Sequence, residues 1–456
     1  SRDHQPSARM PGVSLASVNS LQHPAASTAL LTDKYELTML EAALADGTAF
    51  RNVTFEVFTR RLPTERRYGI VAGTARVLEA IRDFRFTEKQ LEQLNFLQPE
   101  TIEYLRNYRF RGQVDGYREG ELYFPSSPIL TVRGTFAECV VLETVVLSIL
   151  NADSAVASAA ARMVCAADGR FMLEMGSRRT HEYAAVTAAR AAYLAGFDAT
   201  SNLEAASRYG IPAQGTAAHA WTLLHVDENG QPDEKSAFAA QVERHGASTT
   251  LLVDTFDITQ GVENAVAVAG TELGGVRIDS GDLGALTRRV RKQLDGLGAT
   301  NTKIVVSSDL DEFAIAGLRG DPVDVFGVGT SVVTGSGSPT ASLVYKLVEV
   351  EGKPVSKRSS GKVSDGGTKA GVRTYRETGV AVEEIIYPLG GEIPAHSGSE
   401  IRELTVPLIR DGEIVDGLDD LHASRELVSA GIASLPWEGL ALGRGEPAVP
   451  TRLAGF

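Results

Sequence analysis

From about residue 170 to residue 330, short apolar runs alternate with segments of helical periodicity. Each run ends in polar residues, and a helical pattern begins shortly afterwards. After "GGVRID", for example, Leu283, Leu286 and Val290 fall on one face of a helix. About seven such runs are present if "GTAAHAW" at 215–221 is included. This alternation predicts a parallel sheet with helices packed against it.

Polar residues cluster at the carboxyl ends of these runs. In a closed α/β barrel those ends converge on one face, and that face carries the active site. An open doubly wound sheet would place ligands there only near its switch point. The large number of polar strand ends therefore favours a barrel. The residues concerned are Ser201, His219, Asp254, Asp257, Arg277, Asp279, Asp309 and Thr330.

The two ends of the chain show a different pattern, with strands, shorter helices and many glycines. We expect residues 27–130 and 340–456 to form one discontinuous α+β domain beside a barrel at 131–339. Residues 1–26 have the composition of a disordered polar tail and lack the apolar segment of a signal peptide. The polar stretch 356–371 is the best candidate for a mobile loop.

Composition narrows the class of protein. The chain has 456 residues, of which 43% are hydrophobic and 23% charged, as in soluble globular proteins. Its net charge of −13 argues against a general nucleic-acid binder. No continuous apolar run approaches the ~20 residues of a membrane span. The two cysteines, Cys139 and Cys165, lie in apolar helical patterns and are expected to be buried thiols, so a cytoplasmic protein is favoured.

The stretch "GVRIDSGDLGAL" places a cation and two carboxylates at a strand-to-helix turn. Arg277 can bind a phosphate with its planar guanidinium. Asp279 and Asp282 can accept hydrogen bonds from vicinal hydroxyls or hold a metal that a phosphate carries. The structural alternatives are a salt bridge between Arg277 and Asp279 and a helix cap at Asp282.

Three other turns extend this chemistry. In "VFGVGT", Gly327, Gly329 and Thr330 would let backbone N–H groups and a hydroxyl approach an anion, although a glycine-rich turn alone is a common structural feature. "VVSSDLDE" repeats the theme of hydroxyls beside a carboxylate, Asp309. The turn "MGSRRTHEY" contains Arg178, a cation at a helix start where the helix dipole disfavours it. Together these turns suit a sugar phosphate.

His219 follows "QGTAA" at the same predicted face. A single histidine is more often structural or exposed than catalytic. At this face, however, it could act as a base or as a nucleophile that accepts a phosphoryl group. No P-loop motif and no G-x-G-x-x-G after the first strand are present, which leaves a P-loop kinase or a Rossmann dehydrogenase with little support.

The order of these motifs resembles the nicotinate phosphoribosyltransferase family over about residues 28–375. "LLTDKYELTM" is similar to the family's opening helix, "FEVFTRRLP" to its F-x-x-F-x-R-x-x-P segment and "GSRRTHE" to its G-x-R-R turn. "GTAAHAW" resembles the segment with the histidine that ATP phosphorylates, and "RIDSGDL", "SSDLDE" and "FGVGT" resemble the ribose- and phosphate-binding turns. Met175 and Ser177 depart from the family's more usual residues, which leaves the packing of the substrate ring open.

The resemblance implies a fold and a reaction. The fold is the irregular α/β barrel of type II phosphoribosyltransferases. The reaction joins nicotinate to phosphoribosyl pyrophosphate, giving nicotinate mononucleotide and pyrophosphate, with ATP hydrolysis and with magnesium bound through the substrate phosphates. The resemblance further implies a homodimer with shared active sites, and no nucleic-acid or membrane partner.

The resemblance also assigns roles to individual residues. His219 would be the phosphorylated histidine, and Asp279 would hold the ribose during catalysis. Tyr35 would stack on the pyridine ring of the partner subunit's site. The substrate-binding set implied is Tyr35, Arg178, Ser201, Thr216, Arg277, Asp309, Gly329 and Thr330, and no residue is assigned as a metal ligand. The C-terminal 80 residues match the family weakly, so no site residue comes from them.

Three alternatives remain at this point. Nicotinamide phosphoribosyltransferases share the fold and the histidine but carry an aspartate where this chain has Ser201, so Ser201 favours the acid as substrate. Quinolinate phosphoribosyltransferases use no ATP and lack the histidine segment. A non-catalytic sugar-phosphate-binding protein could use the same anion-binding turns without turnover.

Overall fold

A computed structural model describes residues 27–361 and 365–456. The tail predicted at 1–26 lies outside the described residues, and so does part of the loop predicted at 356–371. Within the described ranges the chain forms helices and strands in alternation, an α/β architecture as the sequence predicts.

The N-terminal part provides the first four helices and five strands. These elements are α1 (Lys34–Asp46), β1 (Asn52–Thr59), β2 (Gly69–Ile70), α2 (Thr74–Arg82), α3 (Glu88–Leu91), α4 (Pro99–Arg106), β3 (Gln113–Tyr117), β4 (Leu122–Tyr123) and β5 (Leu130–Thr135). The predicted helix in "TDKYELTM" begins after Asp33, whose side chain makes no capping hydrogen bond.

The central part alternates strands and helices. Its elements are α5 (Phe136–Val140), α6 (Glu143–Ala167), β6 (Phe171–Glu174), α7 (Glu182–Leu194), β7 (Ala199–Thr200), α8 (Leu203–Tyr209), α9 (His219–Leu224), α10 (Glu234–His245), β8 (Thr250–Leu252), α11 (Ile258–Ala269), β9 (Gly275–Ile278), α12 (Leu283–Gly296), β10 (Lys303–Ser307), α13 (Glu312–Gly317), β11 (Val325–Val328) and α14 (Thr330–Val333).

The C-terminal part is mainly strands. It contains β12 (Leu343–Val350), β13 (Lys353–Pro354), β14 (Lys369–Tyr375), β15 (Ala381–Pro388), β16 (Glu400–Glu403), β17 (Thr405–Arg410), β18 (Glu413–Ile414), α15 (Leu421–Ala433), a 3₁₀ helix (Trp437–Leu440) and β19 (Thr451–Leu453).

Six strands of the central part form one parallel sheet in the order β7-β6-β11-β10-β9-β8. A single bridge between Thr200 and Ala213 extends the pairing beyond β7. The seventh strand expected at 215–221 is wrong, because α9 begins there at His219. Ala220, Leu223 and Leu224 of α9 belong to the residue types with high helix propensity.

Strands from both ends of the chain share one antiparallel sheet in the order β13-β12-β1-β5-β3-β17-β18. β1 pairs with β12 on one side and with β5 on the other, so residues near 55 and 345 are neighbours. Strands of the N- and C-terminal parts are therefore paired in one sheet, and their grouping into one discontinuous α+β domain remains a prediction. The boundary placed near residue 130 remains a prediction, as does the one near 339, and β5 crosses the first of them.

A buried charge cluster holds the two ends of the chain together. The guanidinium of Arg373 on β14 is almost fully buried and donates to Glu121, at 2.9 Å, and to Glu384, at 2.8 Å. Glu384 also accepts from the hydroxyls of Tyr117 and Ser127. Because removal of one partner would leave a buried charge uncompensated, this cluster fixes how the C-terminal strands dock.

α6 is long and apolar enough to cross a membrane by length and composition alone. Two thirds of its most apolar window is buried inside the protein, where it packs against α7 and α13. Burial of this kind is typical of the core helix of a globular protein. Both cysteines are free, with Cys139 buried on α5 and Cys165 half-buried on α6.

Glu36 joins α1 to the first turn of α6. Its side chain is buried, and Oε1 accepts from the Thr144 backbone N–H at 2.9 Å and from the Thr144 hydroxyl at 3.1 Å. Oε2 is buried without a hydrogen-bond partner. Burial therefore raises the pKa of Glu36 to about 7.

We expect Glu36 to make the protein less stable as the pH rises. Its folded pKa of about 7 exceeds the ordinary value of 4.5, so the folded state keeps the proton that the unfolded state loses. The stabilisation is complete below pH 4.5 and is lost as the pH rises to about 7. In Glu36→Gln, the loss of unfolding free energy between pH 4.5 and pH 8 should be smaller than in the wild type by up to about 3 kcal/mol. Urea unfolding at both pH values measures this difference. Glu92→Gln, at an exposed site, is the control, and equal pH profiles for the two variants would contradict the expectation.

Candidate active site

The polar strand ends of the parallel sheet surround a cleft of about 560 Å³. Eight of the ten predicted site residues line it, and the other two do not. The lining contains Arg178, Thr216, His219, Arg277, Asp279, Asp309, Gly329 and Thr330, together with Met175, Arg179, Ser307 and Ser308. The sheet therefore brings together residues that are up to 155 positions apart in the chain, from Met175 to Thr330.

The register of the parallel strands places three polar side chains in a row. Leu252 pairs with Arg277, and Ile278 pairs with Val306, so the residues that follow them become neighbours. The Asp279 backbone N–H donates to Asp254 Oδ2 at 2.8 Å. The Ser307 hydroxyl donates to Asp279 Oδ1 at 2.7 Å. This row leaves Asp279 Oδ2 available to a ligand.

The turn after β9 is fixed by Asp254 and Gly281. Asp254 Oδ2 also accepts from the Ser280 hydroxyl at 3.0 Å. Gly281 has a φ of +92°, and a Cβ there would meet Leu286 Cδ1 at 2.7 Å, so the turn requires glycine. Asp282 occupies the N-cap position of α12, but its side chain makes no capping hydrogen bond and is exposed. Capping therefore does not explain this carboxylate.

His219 is the first residue of α9, and its ring is held on two sides. Nδ1 lies 2.9 Å from the hydroxyl oxygen of Thr255. Nε2 lies 3.6 Å from Asp279 Oδ2 and 3.9 Å from Asp254 Oδ1. The Asp254 carboxylate is almost fully buried, whereas the His219 ring is 38% exposed and can reach a ligand in the cleft. A ring with this access and these carboxylates can act as a base or as a nucleophile.

Arg277 forms no salt bridge and no hydrogen bond through its side chain among the described residues. Its Nε is buried with no hydrogen-bond partner, and no salt bridge to Asp279 occurs among the described residues. Desolvation by burial lowers the pKa of Arg277, while Asp279 and Asp254 oppose that shift and Arg178 adds to it. Partial burial of a guanidinium without a partner costs free energy, because the charge loses water and gains no hydrogen bond. An anionic ligand in the cleft would compensate this cost.

Met175 lines the cleft, and its side chain packs against Gly327 of β11. A Cβ on Gly327 would meet the Met175 sulfur at 2.5 Å, so this glycine leaves room for the methionine side chain. At Gly329 a Cβ would make only ordinary contacts with protein atoms. The space in front of Gly329 and Thr330 is thus available for a ligand rather than filled by side chains.

Tyr35 and Ser201 are not among the cleft-lining residues. Tyr35 lies on α1 with 46% of its surface exposed, beside Glu143. Ser201 directly follows β7, where its backbone N–H donates to the carbonyl of Glu174 at 2.8 Å. Ser201 therefore lies at the same edge of the sheet as the cleft, one strand beyond β6.

Two residues that contact His219 were missing from the predicted site. Asp254 was noticed as a polar strand end but received no role, although its position after β8 was a usable signal. Thr255 gave no signal, because a threonine after a strand is common and only the tertiary contact with His219 distinguishes it. No cluster of three or more metal-binding side chains occurs in the part of the chain that the structure describes.

Comparison with known proteins identifies the family. The model of the nicotinate phosphoribosyltransferase N-terminal domain matches residues 30–151, and that of the nicotinate phosphoribosyltransferase family matches residues 171–379. The chain belongs to the nicotinate phosphoribosyltransferase family. The prediction made from the motifs is thereby confirmed.

Relatives of the family agree along most of the chain. The nicotinate phosphoribosyltransferase pncB1 of Mycobacterium tuberculosis is 64% identical over 426 residues, which cover 93% of this chain and 94% of the relative. The nicotinate phosphoribosyltransferase of Bacillus subtilis is 40% identical over 341 residues, covering 71% and 67% of the two chains.

Solved structures show the same fold. Human nicotinic acid phosphoribosyltransferase superposes with a TM-score of 0.79 at 26% identity, covering 93% of this chain and 97% of the human one. The nicotinate-nucleotide pyrophosphorylase of Pyrococcus furiosus superposes with a TM-score of 0.75 at 26% identity, covering 91% and 98%. The irregular α/β architecture predicted from the motifs is that of phosphoribosyltransferase structures.

The unpaired guanidinium of Arg277 leads to a test that separates binding from stability. Arg277→Met should lower the affinity for inorganic pyrophosphate at least about tenfold, because the cleft loses a charge-assisted donor. The free energy of unfolding should stay equal or rise, because no hydrogen bond or salt bridge to a described residue is lost and a partly buried charge is removed. Calorimetric titration and urea unfolding measure the two quantities.

Arg291→Met is the matched control for Arg277→Met. Its guanidinium donates to the carbonyls of Thr302 and Ala299 and to Asp295, away from the cleft. This variant should lose about 1–3 kcal/mol of stability and keep its affinity for pyrophosphate. If Arg277→Met were the less stable of the two and still bound pyrophosphate normally, the role of Arg277 as an anion-binding group would be wrong.

Proposed function

We propose that this chain transfers the phosphoribosyl group from phosphoribosyl pyrophosphate to nicotinate. The products are nicotinate mononucleotide and pyrophosphate, a step of NAD salvage, and the reaction is coupled to ATP hydrolysis. The chain is 64% identical to a nicotinate phosphoribosyltransferase over 93% of its length, which supports this activity. We propose a cytoplasmic location because the substrates are soluble metabolites.

The charge pattern of the cleft is the observation that carries the proposal. Arg277, with its unpaired Nε, and Arg178 provide cations, while Asp279 and Asp309 provide hydrogen-bond acceptors. A ligand that carries both phosphates and vicinal hydroxyls matches this combination. Phosphoribosyl pyrophosphate is such a ligand. Thr216, Gly329 and Thr330 would complete its binding with backbone and hydroxyl donors.

Ribosyl transfer breaks the bond between C1 of the ribose and the pyrophosphate oxygen, and the pyridine nitrogen forms the new bond. Positive charge develops on the ribose in the transition state, as in glycoside hydrolysis. Asp279 would stabilise this charge and hold the ribose through Oδ2, since Ser307 already engages Oδ1. Magnesium, bound to the substrate phosphates near Asp279 and Asp309, would neutralise the leaving pyrophosphate.

His219 would couple the reaction to ATP. A ring nitrogen attacks the γ-phosphorus, an N–P bond forms and the P–O bond to ADP breaks; hydrolysis later releases the phosphate. The partial exposure of the ring into the cleft suits this role, and Asp254 and Asp279 beside Nε2 can stabilise the ring when it is positively charged.

The acid rather than the amide is the proposed substrate. Arg178 follows β6 and Ser201 follows the neighbouring strand β7, so both lie at the same side of the cleft. A hydroxyl and a cation at this side favour a carboxylate ligand. The rival activity, transfer to nicotinamide, would favour an aspartate at position 201. A non-catalytic sugar-phosphate-binding protein would need neither His219 nor the two carboxylates beside it.

A homodimer with shared active sites accounts for the exposed apolar surface of α1. Tyr35 and Met39 of α1 are exposed at a spacing of four residues and so share one helix face, and Leu31, which precedes α1, is exposed as well. Leu203, the first residue of α8, and Leu224, the last residue of α9, are also exposed. In a two-fold dimer the exposed face of α1 in one protomer would cover these leucines of the other, which would bring Tyr35 to the partner's cleft.

Product analysis tests the substrate. With phosphoribosyl pyrophosphate, magnesium and ATP, we expect nicotinate to give its mononucleotide at least about 100-fold faster than nicotinamide at equal concentration, because an anion and a neutral amide differ strongly in a cationic site. Chromatography with mass detection measures both products. Equal turnover of nicotinamide would overturn the assignment of the acid, and turnover of neither would favour the non-catalytic alternative.

His219→Asn provides the control for ATP coupling. This variant should lose nicotinate-dependent ATP hydrolysis and the acid-labile protein phosphate. Slow synthesis of the mononucleotide without ATP can persist, because the ribosyl-binding groups remain. Undiminished ATP coupling in His219→Asn would remove the phosphohistidine step while leaving the ribosyl transfer intact.

Subunit mixing tests the shared site. Tyr35→Ala and Arg277→Ala should each be nearly inactive alone, since one lacks the stacking ring and the other the phosphate-binding cation. In a mixed dimer one site carries both changes and the other carries neither. Half the dimers are mixed, so exchange should restore about a quarter of wild-type activity. Continued inactivity, with exchange verified by mass spectrometry of tagged chains, would exclude Tyr35 from the partner's site.

A further inference from the structure

Thr255 follows Asp254 at the end of β8 and is half-buried. Its hydroxyl oxygen lies 2.9 Å from Nδ1 of His219, within normal hydrogen-bond distance. A neutral histidine carries one N–H, so either the hydroxyl donates to Nδ1 or Nδ1 donates to the hydroxyl. The surroundings of the other ring nitrogen decide between these two arrangements.

Nε2 faces two carboxylate oxygens. Asp279 Oδ2 is 3.6 Å away and Asp254 Oδ1 is 3.9 Å away. Asp254 Oδ1 is buried and has no other hydrogen-bond partner. A lone pair on Nε2 would point towards two negative charges, whereas an N–H there is attracted by both. The proton of the neutral ring therefore belongs on Nε2, and Nδ1 accepts from the Thr255 hydroxyl.

We infer that Thr255 is a positioning residue that holds the His219 ring as the Nε2–H tautomer and fixes its rotation. This inference rests on the proposed function only in taking His219 as the phosphoryl acceptor. Without the hydroxyl, the ring keeps the electrostatic preference at Nε2 but loses its only side-chain contact at Nδ1 among the described residues. In the Nε2–H tautomer Nδ1 carries the only lone pair, so Nδ1 is the atom that attacks phosphorus, and its hydrogen bond from Thr255 breaks as the N–P bond forms. Without Thr255 the ring samples other rotations and tautomers, and fewer molecules present Nδ1 in the aligned orientation.

Thr255→Val tests the inference, because valine keeps the shape of threonine and removes the hydroxyl. With ¹⁵N-histidine-labelled protein at a pH where the ring is neutral, the Nδ1 and Nε2 signals of His219 should move towards values that indicate mixed tautomers. His219→Asn assigns those signals among the eight histidines. Formation of acid-labile protein phosphate from ATP should slow about tenfold in Thr255→Val. Thr255→Ser, which keeps the hydroxyl, should recover the wild-type signals and most of the rate.

Thr187→Val is the matched control for the loss of one threonine hydroxyl. That hydroxyl donates to the Ala184 carbonyl within α7, so its removal should leave the His219 signals and the rate unchanged. Wild-type signals in Thr255→Val would overturn the inference, whatever the reaction. Shifted signals in a protein that never becomes phosphorylated would support the role of Thr255 and remove the proposed phosphoryl transfer instead.

Discussion

The buried carboxylate of Asp254 is the interaction on which the site depends. Its Oδ2 accepts from the Asp279 backbone N–H and the Ser280 hydroxyl, and its Oδ1 faces His219. A buried carboxylate must be hydrogen-bonded or compensated, so the turn after β9 is held where it can supply these donors. The positions of Asp279 and of the His219 ring follow from that one requirement.

The parallel register makes this arrangement possible. β8, β9 and β10 pair so that Asp254, Asp279 and Ser307 lie side by side, although the chain separates the first and last by more than fifty residues. Each strand contributes one polar residue at its end, and hydrogen bonds between neighbours hold the side chains in fixed orientations. Rigid orientation of this kind is what pre-organised electrostatic catalysis requires.

The buried arginine Arg373 and the cleft arginine Arg277 have different functions. Arg373 forms salt bridges with Glu121 and Glu384 and joins strands from both ends of the chain, although its Nε has no hydrogen-bond partner. Arg277 also has an Nε without a partner, and it forms no salt bridge with any of the described residues. Compensated buried charge fixes a fold, whereas uncompensated half-buried charge attracts a ligand, so the difference between these two arginines separates structure from function.

The sequence alone determined the alternation of strands and helices, the polar strand ends and, through the order of its motifs, the family. These features are local, because apolar periodicity and turn residues act over a few positions. Only the tertiary structure decided that 215–218 is irregular and that His219 begins a helix. It alone showed that Asp282 makes no capping bond, that Arg277 is unpaired and that Thr255 contacts the histidine ring. Those facts depend on strand register and on burial by distant segments, which no stretch of sequence specifies on its own.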